Sequence, residues 1–505
     1  MPFNSIFSWI VKKRIHQIEL FKKFPLEVQK ELFSNLISTA AFTEYGMIHK
    51  FNEILTYKDF QEKVPLTEYT ELKPFIDRII EGEQDILWPT ETKWFAKSSG
   101  TTAARSKLIP VTIESLEECH YKGGKDLLSL YYHNYPDRKL YNGKHLIVGG
   151  SAQVNYLSYD SYFGDLSAII VKNLPWWAEI RRTPAKEIAL MSEWEEKIEK
   201  MAQSTILEDV YIIAGVPSWT LVLAKRVLEI TGKSTLKEVW PNLELFMHGG
   251  VSFEPYRDEF KRIIGFDDMH YVETYNASEG FFGIQDLVDN PGMLLMLDYG
   301  MFFEFIPMDS YNGTASTTVL TLGEVEVGKQ YALVISTNGG LWRYIVGDTI
   351  VFTELNPYRF RVSGRTKSFI NTFGEEVIVE NADKAISAAL KASNAKLRDY
   401  HVCPIYMENG EKGAHQWLIE FIEEPADLEL FRKVLDDTLR EINSDYDAKR
   451  YKGMILNEPV LTVIPKGGFD QWLKSNNKLG GQNKIPRLLN DRSIAEQILN
   501  VLNLN

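Results

Sequence analysis

From Lys97 to Lys107 the chain reads KSSGTTAARSK: two serines, a glycine and two threonines in five consecutive positions, then Arg105 and Lys107. Glycine lets backbone N–H groups approach an anion, hydroxyls add donors, and the two cations neutralise charge, which is the chemistry of a phosphate cradle. A solvated linker has a similar composition. The GxxxxGK[ST] spacing of a P-loop is absent, so the stretch needs partners elsewhere in the chain before it means more than flexibility.

Four other stretches carry groups of complementary type. TYNASEG (residues 274–280) runs a strand into a turn that displays Tyr275, Ser278 and Glu279. An aromatic ring can stack on a base, a serine can donate to a phosphate, and one carboxylate beside substrate phosphates suffices for Mg²⁺. LWRYIVGD ends at Asp348, where a strand-end carboxylate could accept from both hydroxyls of a ribose. GRTKSFINTFGEEV holds Arg365, and LGGQNKIPRL holds Lys484 after a glycine pair. Each has an ordinary alternative in a strand-ending turn or a solvated surface residue.

The elements that must position these groups are legible as texture. An apolar stripe after Pro25 (Leu26, Leu32, Phe33, Leu36, Ile37) predicts a helix with the proline in its first turn. From about His145 come short apolar runs, several ending in glycine (HLIVGG, DVYIIAGVP, LELFMHGG, MHYVETYNASEG), with helical patterns between them. In one of these, Met191, Trp194, Ile198 and Met201 are expected on a single helix face. Alternating strands and helices predict an α/β sheet with ligands at the carboxyl ends of its strands. Residues 302–355 are strand-rich and predict an antiparallel annex. Past RVSGRTKS a smaller α+β pattern follows: a hairpin in HVCPIYMENGEKGAHQWLIEFIEE, a helix in ADLELFRKVLDDTLREI and a strand in PVLTVIP.

Composition bounds the rest. At 505 residues, 44% of them hydrophobic, the chain is long enough for two or more packed domains. A formal net charge of −13 argues against a general nucleic-acid binder. Cys119 and Cys403 lie far apart, without metal-ligand spacing, and read as buried thiols of a reducing compartment. No stretch reaches the roughly 20 apolar residues of a membrane span. The run IFSWIV is too short for a signal-peptide core, and its basic residues follow it. A soluble cytoplasmic protein, monomeric or weakly homo-oligomeric and without a membrane partner, is expected.

Taken in order, the five stretches resemble the adenylate-forming superfamily of acyl-CoA synthetases, luciferases and peptide-synthetase adenylation domains. The nearer resemblance is to the auxin-responsive acyl-acid amido synthetases of the Gretchen Hagen family, carried by TELKPFIDRIIEGE, SSGTT, GVPSWTLVL, YNASEG and QNKIPRL. The resemblance implies a large N-terminal α/β domain with a β-rich annex (residues 1–364) and a smaller, mobile α+β domain (365–505) that turns about SGRTK.

It also implies roles. Ser98, Ser99, Gly100, Thr101 and Thr102 would hold the phosphates of ATP. Tyr275 would face the adenine, with Asn276 in the same nucleotide motif. Ser278 would contact the α-phosphate, Glu279 would ligate Mg²⁺, Asp348 would bind ribose, and Arg365 would lie near the nucleotide. Lys484 would close over the reacting carboxylate and phosphate. The acyl pocket would be lined by Val216, Trp219, Gly249, Gly250 and Val251, although Trp219 is equally compatible with core. His248 is a candidate general base, against the commoner structural role of a lone histidine. The expected reaction converts a carboxylic acid to an acyl adenylate and transfers the acyl group to an amine, an amino acid by preference. The alternatives are thioester formation with coenzyme A and a nucleotide-binding sensor without turnover. A Ser-His-Asp hydrolase fits poorly, since there is no GxSxG elbow and SSGTT places no lone serine on a sharp strand-to-helix turn.

Overall fold

The glycine-terminated apolar runs are the strands of a parallel block. In the computed structural model, residues 2–98, 107–138, 140–149, 154–191, 193–251, 253, 256–287, 290, 292–311, 318–366, 369–407, 412–451, 455–476 and 485–504 are described. β1 (Trp94–Ser98) pairs antiparallel with β2 (Lys107–Val111). β3 (Lys144–Val148), β4 (Arg182–Thr183), β5 (Val210–Gly215), β6 (Leu245–Gly249) and β7 (His270–Ala277) then lie side by side in parallel. Both faces of such strands are covered, which is why they read as continuous apolar runs without alternation.

The antiparallel annex is continuous with this block. β8 (Gly280–Ile284), β9 (Met293–Leu295), β10 (Met301–Pro307), β11 (Leu320–Thr321), β12 (Gln330–Thr337), β13 (Tyr344–Leu355) and β14 (Tyr358–Arg365) complete a twelve-stranded sheet. Its order is β11-β10-β12-β13-β14-β9-β8-β7-β6-β5-β3-β4. The annex therefore starts at Gly280, earlier than the expected 302, and the change from parallel to antiparallel falls on the TYNASEG hairpin.

Helix α1 (Pro25–Thr39) has its proline in the first turn, and Phe33, Leu36 and Ile37 are buried. α2 (Tyr121–Asn134) continues from a π-helical turn, Ser115–His120. The stripe expected on one helix from Met191 to Met201 is broken: α3 spans Trp194–Thr205, and a separate short helix, Lys186–Ala189, precedes it. Ile198 and Met201 are buried, whereas Met191 lies outside α3. Its apolar spacing continued a helical period across a connection that the backbone does not make helical. α4 (Pro217–Thr231) starts directly after β5 with proline at its first position.

The chain divides into two compact units, one of Met1–Ser98, Lys107–Gly250 and Ile264–Thr366, the other including Val251–Ile263 and Lys367–Asn505. The first is centred on an aromatic core in which Trp342, Tyr344, Phe303 and Phe360 are buried. Within it Arg343, at φ +43°, pairs with buried Glu304 at 2.9 Å and donates to the Val64 carbonyl at 2.8 Å. These bonds hold a backbone conformation that non-glycine residues seldom adopt. In the second unit, α5 (Val379–Ser393) and α6 (Leu428–Ile442) accompany a sheet of β15 (Lys396–Ile405), β16 (Ala414–Glu423) and β17 (Val460–Ile464). Asp427 caps α6, accepting from the backbone N–H groups of Glu429 and Leu430.

Candidate active site

β7 reverses into β8 through a two-residue turn, Ser278–Glu279, closed by the Ala277–Gly280 pair. Gly280 has no room for a side chain, since a Cβ would stand 2.4 Å from Met301 Sδ. The turn thus sits tightly on β10 and presents Ser278 and Glu279. Tyr275 points inward, its ring 4.7 Å from that of Phe282, and its hydroxyl donates to Asp348 Oδ2. β7 and β13 stand four places apart in the sheet. Four spacings of about 4.8 Å would put them about 19 Å apart in a flat sheet. One tyrosine bridges them, so the sheet coils there and brings TYNASEG to VGD.

Asp348 is held from a second side. Arg365 ends β14 in register with it and donates from Nε to Asp348 Oδ1 at 2.7 Å. The preceding Gly347 has φ +98° with nothing crowding its Cβ position, so conformation and not space requires glycine here. Thr366 N–H donates to the Gly347 carbonyl at 2.9 Å and fixes the end of β14.

Ser98 closes β1 directly across from Lys107, which opens β2. Ser99, Gly100, Thr101 and Thr102 lie outside the described residues. Lys107 donates to the Tyr344 hydroxyl at 3.2 Å. It also acts on Glu279: burial raises the Glu279 carboxyl above its ordinary value, Lys107 opposes this, nearby Asp348 reinforces it and Arg365 opposes it. The root of the hydroxyl-rich stretch, the acidic turn and the Asp348–Arg365 pair therefore share one electrostatic neighbourhood. The sequence offers Lys107 as one of the two cations of this stretch, and the family resemblance gives it no role of its own.

Among the described residues no group of three or more His, Cys, Asp or Glu forms a cage for a metal ion. Glu279 is instead a single hard oxygen donor whose charged form burial disfavours, and a divalent cation would reverse that. One carboxylate with the remaining positions left to phosphates and water suits Mg²⁺.

Of the expected acyl-pocket residues, Val216 and Trp219 follow the carboxyl end of β5, and Gly249 and Gly250 lie at that of β6. Val216 caps α4, and Trp219 in its first turn is 7% exposed. Gly249 approaches β7 so closely that a Cβ would lie 2.3 Å from the Thr274 carbonyl oxygen. Gly250, at φ +82°, places its Cβ position 3.5 Å from Val216 Cγ2. Val251 begins the segment grouped with the second unit. His248 is buried in β6, with its ring 5.4 Å from that of Phe246, and its carbonyl accepts from Thr274 Oγ1 at 3.1 Å. Asn276, exposed on β7, accepts through Oδ1 from His120 Nδ1 at 3.0 Å.

Lys484 lies outside the described residues. The chain that follows it is stitched to β15: Ile485 is buried, and Val402 N–H donates to the Arg487 carbonyl at 2.7 Å. Among the described residues no helix is long and apolar enough to cross a membrane.

The family models described as the GH3 family N-terminal, central and C-terminal domains match residues 14–269, 294–365 and 380–493. The chain is 23% identical to indole-3-acetic acid-amido synthetase GH3.4 of Arabidopsis thaliana, over 94% of this chain and 91% of that protein. It is 24% identical to 4-substituted benzoates-glutamate ligase GH3.12 of Arabidopsis thaliana, over 92% of each. The solved structure of AtGH3.15 acyl acid amido synthetase in complex with 2,4-DB shares its fold, with a TM-score of 0.61 at 20% identity, over 95% of this chain and 93% of that one. With matches running from Arg14 to Ser493, the chain belongs to the GH3 family.

Proposed function

We propose that this chain is an ATP-dependent acyl-acid amido synthetase. It adenylates a small carboxylic acid and transfers the acyl group to an amine, with an amino acid as the favoured acceptor. The observation that carries the reading is the convergence of Glu279, Asp348, Arg365, Tyr275 and Lys107 at the junction of the parallel and antiparallel strands, in a member of the GH3 family.

In the first half-reaction a carboxylate oxygen attacks the α-phosphorus of ATP and the bond to the β-phosphate oxygen breaks, releasing pyrophosphate. Two anions must meet, so charge cancellation and positioning carry the catalysis. Ser98 and the hydroxyls and amide of Ser99, Gly100, Thr101 and Thr102 would hold the phosphates, with Lys107 at the root of that stretch. Ser278 would donate to the α-phosphate. Asp348, held by Tyr275 and Arg365, would accept from the ribose hydroxyls. Mg²⁺, held by Glu279 and the phosphates, would supply charge neutralisation. Lys484 would bridge the acid carboxylate and the α-phosphate. In the second half-reaction a neutral amine attacks the acyl carbon and AMP leaves with the electron pair of the cleaved bond. The amine must shed its ammonium proton before it attacks, and His248 is the candidate general base for that step.

The pocket for the acid is assigned to Val216, Trp219, Gly249, Gly250 and Val251. Residues 1–364 would bind ATP and the acid, and residues 365–505 would carry the lysine. The test is ATP-dependent pyrophosphate release across a panel of carboxylic acids, with and without an amino-acid mixture, for wild type and Lys484→Ala. Acid-dependent release, raised by amines and largely lost in the variant, supports the reading. Release raised by coenzyme A and not by amines makes the chain a thioester-forming ligase. Binding of ATP with no acid-dependent release makes it a nucleotide-binding sensor.

A further inference from the structure

The π-helical turn Ser115–His120 is an irregularity that the mechanism above does not use. An extra residue in a helical turn redirects the side chains that follow it, and such turns are frequent at functional sites. Here the last two residues of the turn face the TYNASEG hairpin. Cys119 Sγ accepts from the Phe281 N–H at 3.1 Å, and His120 Nδ1 meets Asn276 Oδ1 at 3.0 Å. Asn276 and Phe281 are cross-strand partners, two pairs back from Ser278–Glu279 when Ala277–Gly280 is counted as the first. Adjacent residues of one turn thus grip both strands just behind the catalytic turn. Gly123, one helical turn on, closes the packing, because a Cβ there would stand 2.5 Å from Phe281 Cδ2.

The histidine contact has a direction. His120 is buried, and burial pushes its ring down to about 4, so it is neutral in the working range. A neutral ring facing a carbonyl oxygen through Nδ1 carries its hydrogen there and donates it. The Asn276 oxygen is then committed to His120, and the amide nitrogen, a donor only, is the face left for a ligand.

We propose that Cys119 and His120 are positioning residues of the nucleotide-binding hairpin, and that His120 orients Asn276 to donate to a ring-nitrogen acceptor of the purine. This rests on the reading of the site as an ATP site.

The test uses the full chain, titrating ATP and the 1-deaza, 3-deaza and 7-deaza analogues, each lacking one acceptor nitrogen, by calorimetry. Asn276→Asp keeps an acceptor for His120 and removes the outward donor. His120→Phe keeps an aromatic ring at the position and removes the inner donor. Each variant is expected to weaken ATP binding about fivefold, the size of one ordinary hydrogen bond. The double variant should be no weaker than either single one. One deaza analogue should cost the wild type the same factor and the variants nothing. In turnover, KM for ATP should rise by that factor with kcat within about twofold, whereas a merely structural loss would lower kcat and leave KM. Additive losses, unchanged ATP affinity, or equal sensitivity of wild type and variants to every analogue would overturn the proposal. A wild type that binds no ATP would overturn the nucleotide reading, and this inference with it.

Discussion

Tyr275→Phe is the sharpest single perturbation of the site, because it removes one hydrogen bond and almost nothing else. The ring stays in place between Phe282 and Phe360, so there is no cavity. What goes is the donor to Asp348 Oδ2, while Arg365 still holds Oδ1. A hydrogen bond to a charged group contributes about 1.5–3 kcal/mol. Asp348 is only 9% exposed and the phenyl ring blocks water from the vacated position, so we take about 2 kcal/mol for the loss. In the free protein this should appear as a melting point lower by a few degrees, since about 1 kcal/mol shifts larger domains by about 2–4 °C. In turnover, a carboxylate with one tether of two should bind ribose less well, and KM for ATP should rise about tenfold, or about 1.4 kcal/mol, with kcat little changed. Burial and Asp348 together raise the Tyr275 hydroxyl well above its ordinary value, so it stays a donor and the effect should not vary with pH across the assay range. Thermal melts and pyrophosphate release against ATP concentration decide the matter. A lowered melting point with unchanged KM would show that Asp348 is structural and not a ribose ligand. No change in either would refute the hydrogen bond itself.

Burial raises the Glu279 carboxyl, so in the metal-free protein its contribution to stability is present at low pH and lost as pH rises through its folded value. Glu279→Gln should remove that loss and abolish acid-dependent pyrophosphate release; equal pH slopes of the melting point in both proteins would refute it. Lys107→Met takes away the first charge that opposes this shift, so the acid limb of the pH–rate profile should move to higher pH. An unmoved limb would remove Lys107 from the site. Gly249→Ala places a Cβ against the Thr274 carbonyl oxygen and should destabilise by about 1–3 kcal/mol. Because the strain falls at the expected acyl pocket, KM for the acid should rise more than KM for ATP. The reverse order would move the pocket elsewhere.

Much of this was legible without coordinates because it is local. The helix after Pro25, the capped helix α6, the hairpin of β15 and β16, and the two-residue turn of TYNASEG depend on neighbours a few positions away. Their residue types and periods determine them. Local signals also have a characteristic failure: Met191 carried the apolar period of α3 across a break, since periodicity cannot report where the backbone turns.

The sequence by itself determined which chemical groups the site has to work with: the hydroxyl-rich stretch, one acidic turn, one strand-end aspartate, an arginine and a late lysine. Only the tertiary structure decided which of them meet. Tyr275 and Asp348 are 73 positions apart and touch because the sheet coils between β7 and β13. Lys107 meets Tyr344 and comes within electrostatic reach of Glu279 because β2 pairs with β1, and Cys119 and His120 meet β7 and β8 because a π-helical turn redirects them there. Sheet curvature and helix irregularity arise from packing summed over many residues. A short stretch of sequence therefore carries no mark of the contacts they create.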